Sequence, residues 1–460
     1  MKIVIIYPTR LDDRNRPVHT RAREGKILNL SFIYLAGLTP LEHEVDVVDE
    51  LFEPIDFDAP VDLVAITAMT SQAERAYQIA HQYQKRKIPV VMGGFHATFL
   101  PEEPAAHVDA VVIGEAEGGW EKVLADAARE ELETVYENSR PLDTLAGLPS
   151  PRYDLIARKP YRYKDYPVWV GRGCPHDYSY CTVKRFYGPR LRSRPVADVL
   201  KDIEQLPTRR VMFVDDNLFA CRSVMTQLLP ALSSFQLQWL AQVDPGTADD
   251  DHLLDLARAA GMETAYIGFE NFSQEGLQKI NKNWARAEAY HRLIGKLHQR
   301  GIIVFASMIL GISGEDAHTI RATLRQIEAL QIDELALYIL TPCPGSRMWE
   351  ELAARQLDLP RNWSLCDGSR AVCPPPGMET QQMEALYWFC TRILPAPFRS
   401  QAVCSASLAF SRLVVIAGAK PAGIPDRRQC LSQCSQQRFF SAGDVRQLNT
   451  YRFLEPAARR

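Results

Sequence analysis

The stretch GRGCPHDYSYCTVKRFYG, residues 171–188, decides how the rest of the chain is organised. It follows a strand-like run, Pro167–Gly171, and carries two cysteines, Cys174 and Cys181, separated by six residues, with Tyr178 between them. A lone pair of cysteines at this spacing is ordinarily a pair of buried free thiols. The flanking residues alter that reading, because Gly171, Arg172, Gly173 and Pro175, then Ser179 and Tyr180, surround the pair in a specific pattern that continues from Thr182 to Gly188.

That pattern resembles the cluster-binding loop of radical S-adenosylmethionine (SAM) enzymes, in which three cysteines stand as C-x3-C-x2-C. Cys174 and Cys181 match the first and third positions, and Tyr178 stands at the second. Soft thiolates are what a 4Fe-4S cluster selects, and a phenol is a hard oxygen ligand and a poor replacement. In the family, three thiolates leave one iron open for the amino and carboxylate groups of SAM, and an electron from the cluster then releases a 5′-deoxyadenosyl radical. The resemblance therefore implies Cys174 and Cys181 as metal ligands, with the third supplied from elsewhere. Cys221, in the loop after the next strand, is a candidate for it; its plain alternative is a buried thiol at the start of a helix.

Upstream, the first 130 or so residues alternate strand and helix patterns, which calls for a parallel sheet with helices on its faces. Strand-like runs are Lys2–Tyr7, Glu44–Asp49, Asp62–Thr67, Ile88–Met92 and Ala110–Ile113. Ala73, Ala76, Tyr77, Ala80 and Tyr83 recur at helical spacing between them, and Trp120, Val123, Leu124 and Ala127 share one face of another helix. Ligands of such Rossmann-like sheets sit at the carboxyl ends of the strands. Those ends read TAMTS (67–71), GGFHAT (93–98) and GEAEG (114–118). Paired glycines after a strand can be no more than a tight turn. In this order the three loops resemble the cobalamin-binding domain that precedes many radical SAM domains. The resemblance implies Thr67, Thr70, Ser71, Gly93, Gly94, His96, Gly114 and Glu115 as cobalamin-binding residues. The D-x-H-x-x-G motif is absent, so the form implied has no protein histidine on cobalt.

Downstream of a proline-rich linker the alternation resumes, with strand candidates Pro167–Gly171, Arg210–Val214, Leu237–Ala241, Thr264–Phe269, Ile302–Met308 and Glu334–Ile339. Six such units suit the open, six-stranded partial (β/α) barrel of radical SAM enzymes, whose active site is built by loops after the strands. Asp216, Gln242 and Glu270 stand at the ends of the second, third and fourth strands, where family members contact SAM. The expected division is a Rossmann-like cobalamin-binding domain at 1–137, a linker at 138–164, the barrel at 165–385 and a weakly patterned C-terminal region at 386–460. Cys430 and Cys434 in the last of these form at most half a metal site.

The resemblance points to an enzyme of α/β class built from two domains. The resemblance implies a methyltransferase that acts on an unactivated carbon of a small-molecule or lipid-like substrate, with an electron donor such as flavodoxin or ferredoxin. Tyr178 keeps open the alternative of a cluster-deficient relative with a binding or accessory role. A net charge of −3 and the lack of a basic stripe exclude a general nucleic-acid binder. Pro8–Arg14 holds no glycine, which removes a G-x-G-x-x-G nicotinamide site. The longest apolar run near the C-terminus, Leu413–Ala419, is too short to cross a bilayer. Ten cysteines behind no signal-peptide pattern fit thiols or metal ligands in the cytoplasm.

Overall fold

The computed structural model describes residues 1–138, 141–357 and 359–393. The expected C-terminal region, with Cys430 and Cys434, lies outside the described residues from 394 onward.

In chain order the first strands are β1 (Lys2–Tyr7), β2 (Glu24–Ile27), β3 (Glu44–Asp49), β4 (Leu63–Thr67), β5 (Val90–Gly93), β6 (Ala110–Gly114) and β7 (Val135–Asn138). All but β2 form one parallel sheet, ordered β3-β1-β4-β5-β6-β7. KIVIIY in β1 and LVAIT in β4 are almost wholly buried, as expected for parallel strands covered by helices on both faces. Helix Ala73–Gln84 buries Ala73, Ala76, Tyr77, Ile79, Ala80 and Tyr83, the face its spacing predicts. Strand β7 adds a sixth member to the five read from the sequence.

The remaining strands are β8 (Arg162–Val168), the short pair β9 (Gly171–Arg172) and β10 (Arg192–Ser193), then β11 (Arg210–Phe213), β12 (Gln238–Val243), β13 (Met262–Glu270), β14 (Ile303–Leu310) and β15 (Glu334–Ile339). The second sheet is a curled parallel half-barrel ordered β15-β14-β13-β12-β11-β8-β2. Its seventh strand, β2, comes from the N-terminal part of the chain and pairs Glu24, Gly25 and Ile27 with Arg162, Tyr163 and Asp165. The two sheets therefore interlock instead of following one another across a plain linker. A knot of aromatic residues fills the joint: Phe52 stacks on Tyr161 and meets Tyr163 edge-on, and Tyr163 donates to buried Asp49 at 2.5 Å.

The C-terminal side returns to the first domain as well. Trp363 and Cys366 pack among Tyr77, Met92 and Ala97, and Trp363 Nε1 donates to Glu103 at 2.6 Å. Helix Thr380–Ile393 buries Met383, Leu386, Tyr387 and Phe389 in the barrel core, beyond the boundary at 385. Each such side chain taken fully out of water contributes about 1.5–3 kcal/mol.

Candidate functional site

Two cavities lie at the carboxyl ends of the two sheets. The first, with about 910 Å³ of open space, sits in the mouth of the half-barrel. The loop after β9 brings Cys174, His176, Tyr178 and Cys181 to it, and the ends of β11, β12 and β13 bring Asp216, Gln242 and Glu270. Glu270 owes its aim to a bulge: the β13–β14 register shifts between Gly268 and Glu270, and Glu270 takes a left-handed φ of 64°. Lys282, 2% exposed, donates to the Gly268 carbonyl, lies 3.5 Å from Glu270 and sits 4.8 Å over the Tyr178 ring.

Tyr178 is thus packed into the wall of the cavity at the position where the family has its second cysteine. Its ring stacks on His176 at 5.4 Å and on Tyr180 at 5.8 Å, and His176 stacks on Trp284 at 4.5 Å. Burial, together with Cys174 and Glu270, holds the Tyr178 phenol firmly protonated. Burial also pushes the Cys174 thiol up to about 12, with the His176 backbone N–H working the other way. A metal binds there only by taking the place of that proton.

The donor set fits an iron–sulfur cluster at two corners, Cys174 and Cys181, with His176 beside them. Among the described residues no three His, Cys, Asp or Glu converge tightly enough to hold a single metal ion. Cys221, the sequence candidate for a third thiolate, does not line the cavity. It is 4% exposed, its thiol is paired with Ser193, and its sulfur would lie 2.9 Å from a Cβ built on Gly171, so the hairpin of β9 and β10 covers it. None of the seven cysteines of the described residues is in a disulfide. The acceptors of the opposite wall are left open: Gln242 Oε1 and Asn217 Oδ1 are buried without a hydrogen-bond partner. They suit a ligand with hydroxyl and ammonium donors, such as SAM.

The second cavity, with about 1460 Å³ of open space, lies between the first sheet and the barrel. Thr67, Gly93, Gly94, Gly114 and Glu115 line it, as their strand-end positions predict. Gly94 has φ 100°, and a Cβ there would lie 2.7 Å from the Ala68 carbonyl oxygen; at Gly114 a Cβ would lie 2.4 Å from the Asn138 oxygen. Neither position leaves room for a side chain against the neighbouring backbone. The cavity's size and glycine rim fit cobalamin, and the described residues that line it include no histidine. His96 does not reach it. Helix Phe95–Phe99 turns that imidazole inward, where Nε2 meets Tyr77 Oη at 2.7 Å and the ring packs on Trp363. Thr70 and Ser71 are likewise buried outside the lining.

Sequence reasoning did not foresee the charge network that closes this cavity toward the barrel. Arg172, two residues before Cys174, donates to Glu115 and Glu117 at 2.6 Å each. Arg192 donates to Glu115 at 2.8 and 3.0 Å, and Tyr34 donates to Glu117 at 2.5 Å. The guanidinium of Arg172 lies over Trp169, Tyr34 and Tyr187. Burial raises Glu117, but Arg172 and Tyr34 outweigh it and hold the carboxyl below its ordinary value. The signal in the sequence was two glutamates in GEAEG and an arginine in GRG, with nothing local to pair them. Asp215 fastens the same loop: it accepts from the Val170 and Gly171 N–H groups, and burial raises its carboxyl to about 7. Its neighbour Asp216 lines both cavities, and burial beside Asp215 pushes its carboxyl well above the usual range.

Gly94→Ala gives a direct check on the second cavity. A Cβ at that φ against the Ala68 carbonyl forces the cradle to shift, and hydroxocobalamin affinity, followed by absorbance, is expected to fall at least about tenfold. Unchanged affinity would place the cofactor elsewhere.

Comparison with known proteins follows the same division. A Radical SAM superfamily model matches residues 169–327, and a B12 binding domain model matches residues 21–124. Bacteriochlorophyllide d C-12(1)-methyltransferase of Chlorobaculum tepidum is 29% identical over 340 residues, which cover 71% of this chain and 74% of that protein. An uncharacterized methyltransferase of Pyrococcus horikoshii is 30% identical over 400 residues, 79% of this chain and 85% of that protein. Among solved structures, the radical SAM methyltransferase TsrM of Kitasatospora setae, with tryptophan and a SAM analogue bound, superposes with a TM-score of 0.61 at 17% identity, over 77% of this chain and 76% of that one.

Proposed function

The chain belongs to the radical SAM superfamily, among the members that carry a B12-binding domain, and we propose that it methylates an unactivated carbon of a small molecule. The observation that carries this reading is the meeting of the two cavities at Asp216. A substrate at that junction would lie between SAM in the half-barrel and cobalamin under the first sheet. The substrate class we favour is an apolar polycycle, because the relative named above acts on a bacteriochlorophyllide and the wall near the junction carries Phe95, Trp169, Phe186 and Tyr187.

When bound, the cluster supplies the electron for SAM cleavage and cobalamin carries the methyl group. The chain's own residues do the rest. Gln242, Asn217 and Glu270 offer acceptors to the amino and ribose groups of SAM, and Tyr266 and Tyr338 close the floor of the pocket. The Arg172–Glu117 pair fixes the cysteine loop against the wall of the cobalamin cavity. Burial beside Asp215 favours the protonated form of Asp216 at the junction, where the carboxyl can hydrogen-bond a ligand. Reducing equivalents come from a flavodoxin- or ferredoxin-type donor in this reading, and cysteines without disulfides among the described residues suit the cytoplasm. Among the described residues no helix is long and apolar enough to cross a membrane.

The test is anaerobic incubation of iron-, sulfide- and cobalamin-loaded protein with trideuteromethyl-SAM, dithionite and bacteriochlorophyllide d. Release of S-adenosylhomocysteine and 5′-deoxyadenosine, with a gain of three deuteriums in the pigment, is the expected result. A fully loaded protein that leaves SAM intact would overturn the reading. Tyr178 supports a second reading, a relative that keeps the scaffold and has lost the cluster. In that case iron fails to load at all.

A further inference from the structure

We propose that His176 is the third protein ligand of the iron–sulfur cluster, in place of the thiolate that Tyr178 replaces. This rests on the radical SAM reading above.

The loop offers few candidates. Cys221 is sealed behind the β9–β10 hairpin. Tyr178 presents a hard oxygen, and its hydroxyl is engaged with Trp284. His176 presents a borderline nitrogen donor of the kind that replaces cysteine on iron in other clusters. It lies in the same cavity as Cys174 and Cys181, two residues from the first, and its own backbone N–H donates to the Cys174 sulfur.

The ring is also prepared for the task. Its Nε2 faces Asp244 Oδ2 at 3.3 Å, and Asp244 is itself held by Asn217 Nδ2 at 2.5 Å and by the Gly246 N–H at 2.6 Å. A carboxylate on one nitrogen fixes the tautomer and leaves the other, Nδ1, for the metal; this is the usual arrangement around a ligating histidine. Among the described residues Nδ1 has no hydrogen-bond partner. Trp284 and Tyr178 stack on the imidazole within 13° of parallel, which holds the orientation of its plane. On this view Tyr178 is the slab that positions the replacement ligand.

Two thiolates and one neutral imidazole put less negative charge on the cluster than three thiolates, so its reduction potential should be higher. The full-length protein, reconstituted anaerobically with iron and sulfide, is compared with His176→Gln, Tyr178→Phe, Tyr178→Cys and the double variant His176→Gln/Tyr178→Cys. The proposal expects about four irons per chain in the parent and in Tyr178→Phe. It expects loss of most iron in His176→Gln and recovery in the double variant, which also shows that the substitution leaves the fold intact. In protein labelled with ¹⁵N-histidine, pulsed electron paramagnetic resonance of the reduced cluster should show a nitrogen coupling that Tyr178→Cys lacks. The potential of Tyr178→Cys should be lower than that of the parent.

Full iron in His176→Gln, or a parent cluster without nitrogen coupling, would overturn the proposal. An empty parent beside a loaded Tyr178→Cys would overturn it too, in favour of the cluster-deficient reading. Failure of both to load iron would remove the radical SAM reading together with the ligand.

Discussion

Cys174→Ala is expected to abolish iron binding and to lower SAM consumption by more than about a thousandfold, because groups that act as one unit fail together. The site has little redundancy. With only Cys181 left on the loop, no rearrangement of the residues around the cavity supplies a second soft sulfur. Cobalamin affinity should be unchanged, since Cys174 lines the first cavity and not the second. Iron analysis and a hydroxocobalamin titration on the same sample separate the outcomes. A variant that keeps its iron would show that the Cys174–Cys181 loop is not where the cluster sits. Loss of both iron and cobalamin would mean that the substitution had disturbed the fold.

Arg172→Met should cost about 3–5 kcal/mol at neutral pH, the range for breaking a buried ion pair from one side. Glu115 keeps Arg192, whereas Glu117 keeps the Tyr34 hydroxyl and a backbone N–H and loses the one cation it has among the described residues. The pH dependence distinguishes this from a simple loss of packing. In the parent, Glu117 is held below its ordinary value of 4.5, so its stabilising contribution is present above that pH and disappears as the pH falls through the folded value. In the variant the unpaired carboxyl is raised by burial, so acidification should recover stability. Thermal unfolding of both proteins between pH 4 and 8 tests the crossing. A second substitution, Glu117→Gln, should return part of the loss at neutral pH. Parallel pH profiles would show that the pair carries no net electrostatic stabilisation.

These two sites differ in how far they could be read in advance. The Cys174 loop and the ends of β11 to β13 follow from patterns a few residues long. Parallel strands buried on both faces appear as unbroken apolar runs, so both sheets and their carboxyl ends were legible, and with them Thr67, Gly93, Gly114, Gln242 and Glu270 as cavity residues. The Arg172 network was not legible. Its partners stand 55 and 57 residues away, and nothing in a local pattern pairs a particular arginine with a particular glutamate. Strand β2 escaped for a related reason. EGKI is four residues with two charges, and it is a strand only because Arg162–Asp165, far along the chain, offers it an edge.

The side on which a loop residue falls was also a tertiary matter. His96 lies in a loop that does border the cobalamin cavity, yet the short helix that begins at Phe95 turns it toward Tyr77 and Trp363. Cys221 follows the correct strand, yet the β9–β10 hairpin lies over its sulfur. Asp216 was a candidate from its place after a barrel strand, yet only the packing of the two sheets puts it on the second cavity as well as the first. By itself the sequence determined the two α/β units, their order, the strand ends that face the ligands and the pair of thiols. These depend on backbone geometry and hydrophobic periodicity within about ten residues. Only the tertiary structure decided which of those residues reach a cavity, which carboxylates hold the cysteine loop and where the two cavities meet. Those outcomes depend on contacts between segments far apart in the chain, where packing and desolvation override local preference.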